Sequence, residues 1–290
     1  MNRDLFRNIR KIQIQAGRAV DSILSGAYHS VFKGRGMEFE DVREYQIGDD
    51  IRLIDWNVTA RSGNAYVKNF KEERELTVML AIDVSSSLDF GSGKRSKRDL
   101  AIEIGALLAF SAIKNNDKVG LILFSNIVEK YLPPQKGVSH VLRIIRELFA
   151  FESRERGTDV GEALAFLCKV QKRYGICFII SDFIVPGYSK IFSLAAKRYD
   201  LISIYISDPR EMEFPDMGLV SLRDRETGEE MLVDTSVLEA REKFTEDAKC
   251  RMESCRKFMK KISAGFIPVR MGDSYFSSIR RYFHLRGRRR

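Results

Sequence analysis

Short continuous apolar runs, each stopped by a polar or acidic residue, alternate along most of this chain with stretches of helical periodicity. Residues 76–82 (LTVMLAI) form one such run and end at Asp83. Residues 119–124 (VGLILF) form a second, and 176–180 (ICFII) a third, which is followed by Ser181-Asp182. Unbroken apolar runs of this length are the pattern of strands buried on both faces. Between them, residues 98–115 predict a helix apolar over most of its surface, 138–149 and 160–174 predict amphipathic helices, and a further helix is expected near 188–198. Residues 201–206 and 266–271 are additional strand candidates, and 128–132 predicts a short strand stopping before Pro133-Pro134. Repeated strand–helix units call for an α/β fold, a mostly parallel central sheet with helices on both faces.

Two regions break this rhythm. Residues 218–223 and 230–233 flank Glu226-Thr227-Gly228-Glu229 and predict a hairpin with glycine in its turn. A long charged helix is expected over 236–263, on which Cys250 and Cys255, five apart, do not share a face. The first 75 residues are less regular. Leu5, Phe6, Ile9, Ile12, Ala16, Val20 and Ile23 have helical spacing among Arg and Lys residues, a basic amphipathic helix expected to pack its stripe on its own domain rather than on a membrane surface. Short strands are expected at 38–45, 51–56 and 65–70. The division that follows is an N-terminal segment, 1–75, and an α/β domain with a basic tail, 76–290.

The net charge of +9 carries less meaning once it is located. Six arginines stand among residues 280–290 without an acid, and residues 1–36 contribute +5, so the body from 37 to 279 sums to −2. A nucleic-acid surface concentrates its bases on one face of the fold, which this distribution does not provide. The arginine-rich end is expected to be a solvated tail. The longest stretch without Asp, Glu, Lys or Arg is 22–32, too short to cross a bilayer. No apolar secretory core follows the charged start, and Cys168, Cys177, Cys250 and Cys255 form no CxxC pair. A reducing cytoplasm is the expected compartment.

The candidate chemistry lies where the buried strands end. In open parallel sheets, ligands bind outside the carboxyl ends of the strands, at the point where strand order reverses. If the chain winds outward from the Asp83 strand and later returns to its other side, Asp83 and Asp182 share one crevice. Two close carboxylates repel unless a proton or cation lies between them. Ser85 and Ser87 add hydroxyls from the first loop and Thr158 adds one from Gly157-Thr158-Asp159. A set of oxygens without His or Cys suits a hard cation, Mg²⁺ above all. Each residue taken singly also reads as a turn or a cap, and Asp159 with Glu162 has the spacing of a capping box.

Other chemistries fit less well. Gly91-Ser92-Gly93-Lys94 lacks the glycine a phosphate loop needs at Leu88 and the Ser or Thr it needs at Arg95. Gly34-Arg35-Gly36 has Phe39 where a dinucleotide motif has its third glycine, and no serine stands in a GxSxG elbow. His29, His140 and His284 form no zinc signature, and His140 is expected on a helix surface. A phosphoryl hydrolase with Asp83 as nucleophile and Asp182 holding Mg²⁺ is an alternative, although such chemistry commonly uses a second acid where this chain has Ser85.

Asp83-x-Ser85-x-Ser87, Thr158 and Asp182, each at the end of its expected element, together resemble the metal-ion-dependent adhesion site of a von Willebrand factor A-type (vWA) domain. The resemblance implies that both serines and the threonine touch the metal, that the aspartates act directly or through water, and that a partner's carboxylate fills one open position. A narrower resemblance spans nearly the whole chain. Gly34-Arg35-Gly36-Met37-Glu38-Phe39, Val42-Arg43-Glu44-Tyr45, Gly48-Asp49-Asp50-Ile51-Arg52, Ile54-Asp55-Trp56, Thr59-Ala60-Arg61, Glu72-Glu73-Arg74-Glu75 and Val233-Asp234-Thr235 are similar to the bacterial domain-of-unknown-function family number fifty-eight. That likeness implies a non-enzymatic, metal-dependent protein-interaction module. It would use Mg²⁺, or Mn²⁺, and work with a MoxR-type AAA+ ATPase or its client protein in chaperone-like or complex-assembly roles. A second reading keeps the metal site structural or vestigial. Binding would then run through a charged N-terminal surface of Arg35, Glu38, Arg43, Asp49, Asp50, Arg52, Asp55 and Arg61.

Overall fold

The structure, a computed structural model, describes residues 36–73, 76–93, 95–151, 153, 157–184, 190–223 and 228–288. It divides after Leu76 into two units. In the first, β1 (Gly36–Glu44) pairs antiparallel with β2 (Tyr66–Glu73), with a register shift between Phe39 and Asp41. The strand expected over 51–56 is instead a short 3-10 turn, Ile51–Leu53, followed by α1 (Trp56–Ser62). Two aspartates account for the difference. Asp50 accepts from the Arg52 amide, and Asp55 accepts from the amides of Asn57 and Val58, so each starts a helical turn. A single bridge, Ile54 to Val67, is all that remains of strand pairing there. The amphipathic helix expected near the N-terminus lies outside the described residues.

The second unit follows the predicted alternation. In chain order it contains β3 (Thr77–Asp83), α2 (Lys97–Lys114), β4 (Lys118–Phe124), β5 (Val128–Gln135), α3 (Val138–Ala150), α4 (Val160–Val170), β6 (Ile176–Ser181), α5 (Lys190–Arg198), β7 (Asp200–Ser207) and α6 (Pro209–Met212). The hairpin β8 (Leu219–Arg223) and β9 (Glu230–Asp234), then α7 (Leu238–Lys261), β10 (Gly265–Arg270) and α8 (Tyr275–Gly287) complete it. Six strands form one sheet in the order β10-β7-β6-β3-β4-β5, with parallel pairing except for β5. β5 runs through Pro133-Pro134 rather than stopping before them. It is an edge strand, where a proline's missing donor costs no ladder bond.

Every residue of β6 is buried, as is every residue of β3 after Thr77. The period-2 alternation of a strand divides them between two cores. Met79, Ala81, Cys177 and Ile179 cluster with Leu164 and Leu167 of α4, Phe192 of α5, and Cys255 and Met259 of α7. On the opposite face, Gly105 of α2 sits so close to Ile82 that an added Cβ would lie 2.7 Å from its Cδ1. Phe178 meets Phe283 of α8 edge to face at 6.4 Å on that same side.

Two expectations are corrected here. The arginine-rich end is no solvated tail up to residue 288, because Ile279 and Phe283 bury themselves from α8 and Arg286 pairs with both carboxylate oxygens of Asp200 at 2.6 Å. Apolar residues four apart among the arginines anchor that helix. His140 is buried rather than on a helix surface, and its Nε2 donates to the Val119 carbonyl at 2.9 Å, tying α3 to β4. Among the described residues, no helix is long and apolar enough to cross a membrane.

Candidate metal centre

Strand order reverses at β3. The chain leaves it through α2 to β4 and β5 on one side, then returns through α4 to β6, β7 and β10 on the other. Parallel pairing of Val78–Ile82 with Ile176–Ile180 brings the ends of β3 and β6 side by side. The two aspartates therefore sit near one another at the same edge of the sheet, both buried.

Asp83 is completely buried. One of its oxygens accepts from the Ser85 amide at 2.9 Å and the other from the Ser181 hydroxyl at 2.7 Å. The first bond closes a turn that leads into a 3-10 segment, Ser86–Asp89, and the Ser85 and Ser87 hydroxyls stand 3.0 Å apart. Asp182 is buried as well. Its Oδ1 accepts from the Ile184 amide at 3.3 Å, and its Oδ2 receives the Lys97 ammonium at 2.7 Å. Phe183, immediately after it, holds φ at +51°, a left-handed conformation that is costly for a bulky residue. Its ring, stacked on Tyr205 with centroids 6.2 Å apart, helps fix that turn. Thr158 is buried on the β4 side of the same sheet edge. Its loop is fastened by the Asp159 amide, which donates to the carbonyl of Ser125 just past β4 at 2.8 Å, while the Asp159 carboxylate caps α4 through the Glu162 amide.

Burial, and then the negative charge of Asp182, push the Asp83 carboxyl up to about 7, against the hydrogen bonds from Ser181 and Ser85. The protein's own donors thus leave this carboxylate under-compensated. Among the described residues, no group of three or more His, Cys, Asp or Glu is arranged to hold a metal. A cation here would need the serine and threonine hydroxyls. Two carboxylates and three hydroxyls would make an all-oxygen donor set, the kind that suits Mg²⁺ or Mn²⁺ rather than a thiolate- or imidazole-seeking ion.

Sequence reasoning missed four participants. Ser181 reads in the sequence only as the neighbour of Asp182, yet its hydroxyl joins the β6 end to Asp83 and accepts from the Phe183 amide at 3.0 Å. Lys97, in the first turn of α2, is fully buried and reaches both Asp182 and Glu211, the latter at 2.5 Å. Desolvation disfavours its charge, but Asp182 and Glu211 outweigh it and hold the ammonium above the ordinary lysine value. Burial likewise raises the Glu211 carboxyl, with Lys97 acting against it. Asp208, buried past the end of β7, accepts from the Ser92 amide at 2.9 Å and caps α6, and Glu211 reaches back to the Asp208 amide. The capping boxes Ser96-x-x-Asp99 and Asp208-x-x-Glu211 were legible signals for these helix starts. Nothing in the sequence marks Lys97 as buried. The glycine-rich turn before it is structural: a Cβ on Gly91 would lie 2.1 Å from the Arg95 carbonyl oxygen.

Elsewhere, the N-terminal charges pair locally. Arg43 binds Asp49 through two hydrogen bonds of 2.8 and 2.7 Å, Arg52 meets Asp50 at 2.8 Å, and Lys68 approaches Asp55 at 3.6 Å. Such exposed pairs contribute little to stability. Arg35 and the side chain of Glu38 lie outside the described part. Two surface grooves of about 680 and 710 Å³ run along α7 and contain none of the predicted metal ligands.

Known proteins place this chain in context. It is 29% identical over 285 residues to the uncharacterized protein Rv1480 of Mycobacterium tuberculosis, covering 97% of this chain and 89% of the relative. Of solved structures, BatB from Bacteroides thetaiotaomicron shares 19% identity at a TM-score of 0.48, over 73% of this chain and 99% of that one. The VWA domain of SpRpn10 shares 10% identity at a TM-score of 0.39, over 70% of this chain and 92% of that one. The sheet described above, mostly parallel with helices on both faces, is the α/β fold class expected from the sequence. The family model described as "Protein of unknown function DUF58" matches residues 41–254, and the chain belongs to that family.

Proposed function

We propose that this protein is a non-enzymatic interaction module whose contact centre is the carboxyl edge of the six-stranded sheet. Asp83, Ser85, Ser87, Thr158 and Asp182 would hold Mg²⁺, with Mn²⁺ as a substitute, and an acidic side chain of the partner would complete the shell. A divalent ion supplies a concentrated positive charge that favours a carboxylate over neutral groups. The observation that carries this reading is Asp83, a buried acid raised to about 7 beside a second buried acid and two adjacent serine hydroxyls. The proposed partner is a MoxR-type AAA+ ATPase or its client. The phosphoryl-hydrolase alternative is disfavoured by Ser85, which stands two residues after Asp83 where that chemistry commonly uses a second acid.

The test is calorimetry of Mg²⁺ and Mn²⁺ on wild type and Asp83→Ala, paired with capture of the ATPase in Mg²⁺ or in EDTA. Saturable metal binding, and partner capture that both EDTA and the substitution abolish, are expected. Partner capture indifferent to both would overturn the metal-dependent reading. It would favour the N-terminal unit instead, where Ile47, Ile51 and Trp56 are largely or wholly exposed; Trp56→Ala should then abolish capture.

A further inference from the structure

A lysine side chain with no solvent contact is unusual, and this one stands directly against a predicted metal ligand. Lys97 is placed by α2, whose start is fixed by the reciprocal box of Ser96 and Asp99 and by the Lys97 amide donating to the Phe90 carbonyl at 2.8 Å. From there the ammonium divides itself between Asp182 Oδ2 at 2.7 Å and Glu211 Oε1 at 2.5 Å. Glu211 is in turn held by the Asp208 amide, and Asp208 by the Ser92 amide. Four carboxylates therefore gather at this edge of the sheet, Asp83, Asp182, Asp208 and Glu211, with Lys97 as the cation reaching two of them.

We infer that Lys97 is a tethered counter-ion that competes with a divalent cation for Asp182, and that Glu211 receives the ammonium when the divalent ion takes that carboxylate. The inference rests on the metal-site reading proposed above. A carboxylate oxygen 2.7 Å from a buried ammonium has much of its field offset by that partner, so a divalent ion beside it meets a weakened attraction to Asp182 and the repulsion of Lys97. Glu211 makes the exchange feasible. Without it, displacement would leave a buried lysine unpaired, which is strongly unfavourable. With it, the ammonium keeps one carboxylate in either state. Lys97 thereby lowers the site's affinity for free metal and reserves firm metal binding for the moment when a partner's carboxylate adds negative charge.

The experiment is Mg²⁺ calorimetry on full-length wild type, Asp83→Ala, Lys97→Met, Glu211→Gln and the Lys97→Met/Glu211→Gln double variant. Lys97→Met should bind Mg²⁺ at least about tenfold more tightly than wild type. Glu211→Gln should bind several-fold more weakly, because the ammonium is thrown onto Asp182. In the Lys97→Met background the Glu211→Gln change should have little effect, since its influence runs through the lysine; a comparable weakening in both backgrounds would show a plain field effect and overturn the exchange. The double variant also keeps the buried charge in balance. Should Lys97→Met not fold, tighter binding by the double variant than by Glu211→Gln supports the inference and equal binding refutes it. Wild type that binds while Lys97→Met binds no better refutes the counter-ion role and leaves the metal site standing. Absence of binding in wild type with saturable binding in Lys97→Met supports it strongly. Absence in every variant overturns both.

Discussion

Replacing Asp83 by Asn removes the charge at the centre of the site while keeping its shape. The wild-type carboxyl is raised to about 7 by burial and by Asp182, against 3.8 for an ordinary aspartate. The folded protein therefore holds this proton more tightly than the unfolded chain. The stability that follows is complete below about pH 3.8 and is lost as pH rises through about 7. At about 1.4 kcal/mol per tenfold change, the loss amounts to a few kcal/mol, most of it between about pH 5 and about pH 8. The amide does not titrate. Its oxygen still accepts from the Ser85 amide, but its NH₂ now faces the Ser181 hydroxyl, which loses its acceptor at a cost of about 1 kcal/mol. Asp83→Asn should thus match wild type near pH 5 and exceed it by roughly 2–3 kcal/mol near pH 8, while losing its response to Mg²⁺. Urea unfolding at both pH values in EDTA, followed by tertiary-structure probes, measures this. Equal pH slopes for the two proteins, or a variant less stable than wild type near pH 8, would refute the electrostatic account of the site.

Other expected outcomes test the frame around it. Phe283→Ala, which removes the ring packed against Phe178, should cost about 3–5 kcal/mol in denaturant unfolding, while Arg280→Ala on the exposed side of α8 should stay within about 0.5 kcal/mol. A mobile tail would make both silent. Gly120→Ala would place a Cβ 2.6 Å from the Met79 sulfur and 3.0 Å from the Leu132 carbonyl oxygen, so a loss of roughly 1–3 kcal/mol is expected in thermal melts. An unchanged melting temperature would mean that β4 and β5 separate more readily than their pairing indicates. His140→Ala should lower stability by about 1–3 kcal/mol through the orphaned Val119 carbonyl and leave Mg²⁺ affinity unchanged; altered metal binding would contradict its structural role.

The strands and most helices of the second unit were legible in the sequence because their burial writes a local pattern. Residues 76–82 and 176–180 are apolar throughout, since both faces of those strands are covered, and α3 carries the stripe that its one buried face requires. The positions of Asp83, Ser85, Ser87 and Asp182 were legible for the same reason: each lies where such a run stops. The misreadings came where a few polar side chains overrode the pattern. Asp50 and Asp55 turned an expected strand into helical turns, and two buried apolar residues, Ile279 and Phe283, docked a segment dominated by arginines. What tertiary structure alone decided is which charges meet. Lys97 lies 85 residues from Asp182 and 114 from Glu211, and Ser181 lies 98 from Asp83. Strand order and helix placement join them, and electrostatic energy depends on distance and dielectric rather than on neighbours along the chain. The sequence therefore located Asp83 and Asp182 at the ends of buried strands, while the fold determined that a buried ammonium pairs with one of them.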